Sequence, residues 1–282
     1  MNELFPRTTV AGVSLPRFLI GTNWLLGYSH TSPAADCLIK NRNSNAKAIS
    51  EIVQVCVERG ADAILGLFPG NDCLIEGVRI AEEKTGKKVI RIDTPPINVD
   101  DTPEARRESE KMIATSAKLG ADFCMPHHSC VEQLVNKNKH TMDRLPDYLK
   151  MIRDNGMIPG LSAHMPELIV YSDEQGYDVE TYIQLYNCMG FLMQVEIEYI
   201  HSVIWNAKKP VMTIKPMAAG RCSPFVGLTF SFATIRPCDM VTVGCFTPEE
   251  AAEDIEISLA AIERRKPDLE GRASPNKTSI MK

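Results

Sequence analysis

The chain has 282 residues, of which 44% are apolar and 24% charged, and its formal net charge is −5 at pH 7. This length is close to the roughly 250 residues of one (β/α)8 barrel, and the composition is typical of a globular protein with a substantial core. The basic residues are scattered, which argues against a nucleic-acid partner. No apolar run approaches the roughly 18 residues of a membrane span. We therefore expect one globular domain over residues 1–282 that binds a small-molecule substrate; the sequence leaves its oligomeric state open.

The cysteines and the N-terminus indicate the compartment. The nine cysteines are an odd number and include no Cys-x-x-Cys pair, which argues against a disulfide framework and a zinc finger. The segment Met1–Arg7 lacks the basic head and apolar stretch of a signal peptide. These features predict a reduced, cytoplasmic protein.

One pattern recurs along the chain: an amphipathic stretch, a glycine and then a short apolar run. Ala48–Gly60 places its apolar residues on one helical face, and the buried strand Ala63–Leu67 follows. Eight strands at intervals of about 30 residues, each followed by a helix, predict a closed parallel barrel. The other seven strands are predicted at Phe18–Gly21, Val89–Ile92, Phe123–Met125, Met157–Leu161, Tyr182–Leu185, Val211–Ile214 and Val241–Val243.

Three further segments complete the prediction. Thr247–Glu250 is a capping box with proline at the first helical position, and it predicts the start of the last helix. Asn23–Asn45 is predicted to be a long loop after strand 1, and a loop of that length on the catalytic face is typical of a lid or substrate loop. Residues 264–282 are predicted to be a polar C-terminal extension.

Six spaced blocks of the chain form an ordered set of motifs: Gly12–Thr22, Asp122–His127, Gly160–Glu167, Tyr186-Asn187, Lys215–Arg221 and Val243–Glu249. In these residues and in their order the chain resembles the aldo/keto reductase superfamily. The resemblance implies an α/β protein, a (β/α)8 TIM barrel with an N-terminal hairpin and a long loop after strand 1. It also implies a nicotinamide cofactor, NADP, held by the blocks of strands 7 and 8.

The catalytic residues that the resemblance implies are an aspartate, a tyrosine, a lysine and a histidine, and only the histidine is retained, as His127. Leu65-Gly66 stands where the aspartate belongs, Phe68–Asn71 contains no tyrosine, and Asp93 replaces the lysine. Without the tyrosine phenol and the lysine that activates it, this chain lacks the acid that protonates the alkoxide in the family's reaction. The chain is therefore expected to be a divergent member that keeps the fold but not the reaction.

Polar residues at predicted strand ends should converge on the barrel mouth. His127, His164 and Asp93 are the candidate catalytic residues, with the imidazoles of His127 and His164 close together, while His128 is expected to start the following helix. His30, His127 and His164 are the candidate ligands of a zinc-like divalent metal. The candidate substrate-binding residues are Asn23, Trp24, Ser162, Asn187, Lys215 and Arg221.

Lys215 has two candidate roles. It can be a Schiff-base lysine, because burial in a barrel lowers an ammonium pKa. The favoured role is anion binding, together with Arg221 and the backbone amides near Gly220 and Gly244, because loops after strands 7 and 8 are frequent phosphate sites in barrels.

Three functions remain open at this point. The first is an enzyme that acts on a small polar or anionic carbonyl or hydroxy compound by acid/base chemistry at the mouth, with or without metal assistance. The second is an NAD(P)H-dependent oxidoreductase with altered catalytic residues. The third is a barrel that has lost catalysis and binds a metabolite or another protein.

Overall fold

The fold is that of a computed structural model, and the structure describes residues 4–269. The strands are β1 (Arg7–Val10), β2 (Val13–Pro16), β3 (Phe18–Gly21), β4 (Ala63–Gly66), β5 (Ile90–Asp93), β6 (Phe123–Cys124), β7 (Val135–Asn136), β8 (Thr141–Met142), β9 (Ile158–Pro159), β10 (Leu161–Ser162), β11 (Tyr182–Leu185), β12 (Val211–Ile214) and β13 (Met240–Gly244).

The helices alternate with the barrel strands. They are α1 (Asn23–Leu26), α2 (Pro33–Arg42), α3 (Ala46–Glu58), α4 (Asp72–Thr85), α5 (Pro103–Lys118), α6 (His128–Val131), α7 (Leu145–Asp154), α8 (Glu167–Gln175), α9 (Ile197–Asn206), α10 (Pro224–Thr234) and α11 (Pro248–Glu263). Short 3-10 turns cover Glu132–Leu134 and Ala218–Gly220.

The central sheet is parallel and runs in the order β10, β11, β12, β13, β3, β4, β5, β6, β9. Its first and last members, β10 and β9, are separated only by Gly160, so the sheet closes on itself through one interrupted fifth strand. The antiparallel hairpin of β1 and β2 precedes the barrel. The predicted (β/α)8 TIM barrel and its eight strand positions are thereby confirmed.

The apolar residues form two buried layers. One cluster fills the barrel interior and includes Leu19, Leu65, Ile92 and Met212. Phe18 and Ile20 point to the other side of β3, into the larger cluster that also contains apolar residues of the surrounding helices. This alternation follows from the two-residue period of a strand, and it fixes which strand-end side chains can reach the mouth.

Helix termini follow the sequence signals closely. Gly60 ends the turn after α3 with φ +88°, as a glycine in the left-handed region can. Thr247 Oγ1 accepts the Glu250 N–H of α11 at 3.1 Å, as predicted. The return bond differs from a standard capping box: the Glu250 carboxylate accepts the Phe246 N–H at 2.8 Å, one residue before the cap.

Two predicted segments have more structure than expected. The segment Asn23–Asn45 contains α1 and α2, because Ser32 caps α2 by accepting the Ala35 N–H and Pro33 occupies its first position. In the predicted tail, Arg265 pairs with Glu256 in α11, while residues 270–282 lie outside the described residues. No helix among residues 4–269 is both long and apolar enough to cross a bilayer.

Candidate active site

A cavity of about 700 Å³ lies at the carboxyl ends of the barrel strands. Its floor comes from the ends of β3, β4, β10, β11, β12 and β13, and one wall comes from the segment that carries α1. The polar and aromatic side chains that line it include Asn23, Trp24, Tyr28, His30, His127, His128, Ser162, His164, Lys215, Arg221, Glu250 and Asp254. Eight of the residues predicted for the site therefore line one cavity, and two others do not.

Three imidazoles stand together on one side of the cavity. The rings of His128 and His164 are stacked, with centroids 3.5 Å apart and planes 17° apart. The ring of His127 lies 4.3 Å from that of His128. The histidines that follow β6 and β10 thus converge as predicted, but the ring of His128 lies between those of His127 and His164.

Burial sets the charge of this cluster. Burial, together with the nearby charges of His128 and Lys215, lowers the pKa of His127 to about 4 and that of His164 to about 3. Glu132 acts in the opposite direction, but it does not outweigh burial. His127 and His164 are therefore neutral at pH 7.

Local hydrogen bonds fix the tautomer of His127. Its Nδ1 accepts the Ser129 backbone N–H at 3.4 Å and lies 2.7 Å from Ser129 Oγ. A backbone N–H can only donate, so Nδ1 keeps its lone pair and the proton of the neutral ring lies on Nε2. His127 therefore offers an N–H donor to the cavity.

Lys215 follows β12, two strands from β10 in the sheet, and lines the same cavity. Its Nζ lies 3.0 Å from His30 Nε2, and the same Nε2 lies 3.0 Å from Asn23 Nδ2. Two donors thus point at one ring nitrogen, which requires an acceptor, so His30 carries its proton on Nδ1. Burial lowers the pKa of Lys215 to about 8.

The backbone around Lys215 is in an unusual conformation. Lys215 has φ 60°, Ala218 has φ 50° and Ala219 has φ 55°, and Gly220 follows at 81°. Left-handed conformations of residues with a side chain cost of the order of 1 kcal/mol each and concentrate at functional sites. This stretch turns the chain after β12 toward the cavity, so that Arg221 also lines it.

Arg221 is held in place from two sides. Its guanidinium carbon lies 3.9 Å from the centre of the Phe191 ring, and its Nη1 donates to the Ala218 carbonyl oxygen at 3.1 Å. Both contacts leave donors of the guanidinium free, because it carries five. Lys215 and Arg221 therefore give this side of the cavity a positive charge.

Two predicted site residues lie elsewhere. The Asp93 side chain is fully buried on the outer side of the barrel wall, where its Oδ1 accepts the Phe68 N–H at 3.1 Å. Asn187 is also fully buried, and its amide holds the loop after β11 by bonding to the backbone of Phe191 and Met189. The prediction that these side chains reach the mouth was wrong, because the last residue of a strand can face either side of the barrel wall.

Ser162 and Trp24 occupy the predicted region. Ser162 is 4% exposed at the end of β10 and lines the cavity. Trp24 packs against Phe246 with ring centroids 6.0 Å apart, and a Cβ on Gly244 would come within 2.8 Å of its ring. The glycine therefore lets the indole lie against β13.

The structure does not support the predicted metal site. Among residues 4–269, no group of three or more His, Cys, Asp or Glu side chains could hold a metal ion. His30 directs its Nε2 to Lys215, a cation, and His127 directs its Nδ1 to Ser129. Stacking brings the faces of His128 and His164 together, whereas a metal needs their nitrogens to converge.

Sequence reasoning missed two members of the site. His128 was placed at a helix start, which is correct, but its ring also stacks on His164. Glu132 lies 3.5 Å from His128 and accepts the backbone N–H groups of His164 and Met165. The spacing of four residues between His128 and Glu132 was the available signal, since side chains at that spacing meet on a helical turn.

Comparisons with known proteins support the fold. No protein-family model and no curated protein matches the chain. A solved structure from Pseudomonas aeruginosa, assigned to the aldo-keto reductases, is 13% identical with a TM-score of 0.66 and covers 93% of this chain and 97% of its own. An aldo-keto reductase from Klebsiella pneumoniae in complex with NADPH is 13% identical with a TM-score of 0.59 and covers 97% and 98%.

A Klebsiella pneumoniae aldo/keto reductase solved with NADP and acetate gives a similar result. It is 14% identical, has a TM-score of 0.60 and covers 94% of this chain and 92% of its own. Likeness at this identity is a likeness of fold, and the chain shares the aldo-keto reductase type of barrel.

Proposed function

We propose that the protein is an enzyme that acts on a small anionic carbonyl or hydroxy compound bound in the cavity at the barrel mouth. The observation that carries the proposal is that a neutral N–H donor, His127, and the cationic pair Lys215 and Arg221 line one cavity. A carbonyl oxygen that gains negative charge during a reaction needs such a donor and such a field.

His127 is the residue proposed to contact the reacting oxygen. Because its pKa is lowered to about 4, the ring does not release a full proton at pH 7 and acts as a hydrogen-bond donor through Nε2. This differs from the expected role of His127 as a general acid or base. His164, stacked behind His128, completes the neutral face of the cavity.

The charge of the cavity indicates an anionic substrate. Lys215 lines it without an ion pair to any carboxylate among the described residues, and burial alone accounts for its lowered pKa. An ammonium in such a place is stabilised when a ligand anion replaces the missing counterion. Arg221 supplies a fork that matches a carboxylate or phosphate.

The non-catalytic alternative predicts a cavity without strongly shifted titratable groups. The lowered pKa values of His127, His164 and Lys215 count against it, since such shifts cluster at catalytic sites.

The nicotinamide alternative is less well supported by the residues present. On the resemblance, the cofactor would lie between the loops that follow β12 and β13, the seventh and eighth strands of the barrel. There the Glu250 carboxylate already accepts the Phe246 N–H, and buried Asp254 lines the same part of the cavity. The Glu250 carboxylate opposes a pyrophosphate at this place. Burial and the charge of Glu250 raise the pKa of Asp254 to about 7, because further negative charge is disfavoured there. The residues therefore do not fit the cofactor, and no step is assigned to it.

The proposal is tested by proton exchange on small oxo acids. The protein is incubated in D2O with pyruvate, 2-oxobutyrate and 2-oxoglutarate, and the loss of the proton signal next to the carbonyl is followed by NMR. Exchange needs a stabilised enolate oxygen, so His127→Ala should slow it by about 100-fold. The control is His140→Asn, because His140 stacks on Tyr171 away from the cavity and asparagine tolerates its φ of 52°.

Exchange at the rate of the buffer for all three acids would contradict the proposal. So would equal exchange by the wild type and the His127→Ala variant.

A further inference from the structure

We propose that Lys215 is a nucleophile that forms an imine with the carbonyl group of the substrate, and that His30 takes and returns the proton of this step. The inference rests on the proposed function and deepens it by naming the bond that forms. Its geometric basis is the 3.0 Å contact between Lys215 Nζ and His30 Nε2 inside the cavity.

The contact joins two parts of the molecule that are distant in sequence. Lys215 follows β12, and His30 lies between α1 and α2, in the segment that covers the mouth. Both residues have left-handed backbones, with φ 60° and 57° respectively. Two independent distortions that bring the same pair of atoms together are typical of a functional contact.

His30 is a suitable acceptor for the Lys215 proton. Its Nε2 receives donors from Lys215 and Asn23, so the lone pair that accepts a proton already points at the ammonium. Burial and the charges of Lys215, Arg221 and His128 lower the pKa of His30, while Asp36 raises it. The ring is neutral at pH 7 and able to bind a proton.

The step balances without a further reactant. Neutral His30 takes one proton from the Lys215 ammonium, and the free amine attacks the carbonyl carbon. A second proton passes from the attacking nitrogen to the oxygen, which gives a neutral carbinolamine. The imidazolium returns the proton to the carbinolamine oxygen, which leaves as water when the carbon–nitrogen double bond forms. The product iminium carries the one positive charge that the ammonium carried at the start.

Burial favours Lys215 over other lysines for this chemistry. Its lowered pKa, about 8, leaves a useful fraction of free amine at neutral pH. Exposed lysines such as Lys137 and Lys150 are instead paired with carboxylates at 2.9 Å and 2.7 Å. The pair with Glu167 raises the pKa of Lys137. The two exposed lysines serve as internal references for labelling.

The structure also indicates what the substrate looks like. Its carbonyl carbon must reach Nζ of Lys215 while its oxygen faces the donor of His127. A carboxylate or phosphate next to the carbonyl would lie within reach of Arg221, which lies in the same loop after β12 as Lys215 and lines the cavity. The class that fits is a 2-oxo acid or a similar anionic carbonyl compound.

The test traps the imine with sodium borohydride. Wild-type protein is incubated with pyruvate and reduced, and the modified peptide is located by mass spectrometry. We expect one carboxyethyl group per chain, on Lys215. Acetylacetone, which forms a stable enaminone with a free amine, is the second probe and needs no anion site; it should label Lys215 faster than Lys137 and Lys150.

Two variants distinguish a nucleophilic role of Lys215 from a role in which it only supplies positive charge. Lys215→Arg keeps the cation and should bind pyruvate, seen as a thermal shift, without any trapped adduct. His30→Gln keeps an acceptor for Lys215 but cannot carry the proton, so labelling should slow by about 100-fold. If a variant fails to fold, the peptide map of the labelled wild-type protein still tests the inference.

The inference is overturned if neither probe labels Lys215 more than it labels Lys137 and Lys150. If pyruvate still exchanges its protons with D2O in that case, the proposed function stands and Lys215 only binds the anion. If exchange and thermal shift are absent as well, both the inference and the proposed function fail.

Discussion

Burial decides the protonation state of individual polar side chains around this barrel. His127 and His164 bind protons less readily than in an unfolded chain, where their pKa is 6.5, and stay neutral to about pH 4 and pH 3. The stability that they contribute is therefore present above pH 6.5 and is lost as the pH falls below it. Asp93 shows the opposite case, since burial favours its protonated form.

The first residue-scale prediction concerns Asp93. Burial raises its pKa from 3.8 to about 6, so the folded state binds a proton that the unfolded state releases between these values. Wild-type stability should fall as the pH rises through this window, by up to about 3 kcal/mol from this group, and then level off. Asp93→Asn keeps an oxygen for the Phe68 N–H and removes the charge.

The measurement is urea unfolding of both proteins at pH 4, 5, 6 and 7. The difference in unfolding free energy, variant minus wild type, should grow with pH and then stay constant above pH 6. A difference that is the same at every pH would show that Asp93 is not buried as a titrating group.

At the scale of single elements, helix starts depend on side-chain caps. Thr247 accepts the Glu250 N–H at 3.1 Å at the start of α11, and this helix packs against α3 and α10. Thr102 and Ser223 play the same part for α5 and α10, in each case before a proline. One oxygen satisfies a donor that would otherwise lack a partner.

Thr247→Ala should lower the free energy of unfolding by about 1 kcal/mol, because the first turn of α11 loses this acceptor. Thr247→Ser is the matched control, since it retains the oxygen and should stay within a few tenths of the wild type. Urea denaturation at pH 7 measures both. Equal stabilities of the alanine and serine variants would contradict the role of the cap.

At the scale of the whole molecule, the fold and the chemistry of the mouth separate. The barrel matches aldo-keto reductase structures over 93% or more of the chain in each comparison above, at 13–14% identity. Yet the positions where the resemblance implies catalytic residues hold Leu65-Gly66, Phe68–Asn71 and Asp93, and Asp93 is buried away from the cavity. Barrel packing constrains the wall, whereas strand-end side chains can change without loss of the fold.

We therefore predict that NADPH does not bind at millimolar concentration. On the resemblance, the pyrophosphate would lie in the part of the cavity that Glu250 and Asp254 line. The Glu250 carboxylate repels it, and the raised pKa of buried Asp254, about 7, reflects the same unfavourable place for an anion. Fluorescence titration of the protein with NADPH measures this, with the Klebsiella pneumoniae reductase solved with NADPH as the positive control. Saturable quenching of Trp24 fluorescence, which Trp24→Phe abolishes, would contradict the prediction.

The sequence by itself determined the barrel, its eight strands, the glycine after α3 and the cap of α11. These features depend on local patterns: the two-residue period of strands, the 3.6-residue period of helices and the chemistry of helix ends. It also placed His127, His164 and Lys215 at the mouth, because strand-end positions follow from the strand pattern alone.

Only the tertiary structure decided which strand-end side chains face the cavity and what they contact there. The inward or outward direction of Asp93 depends on the register of the closed barrel, and no local pattern encodes it. The stacking of His128 on His164 and the contact of Lys215 with His30 join distant segments of the chain. Such contacts, and the pKa values that burial sets, exist only once the barrel has closed and excluded water around them.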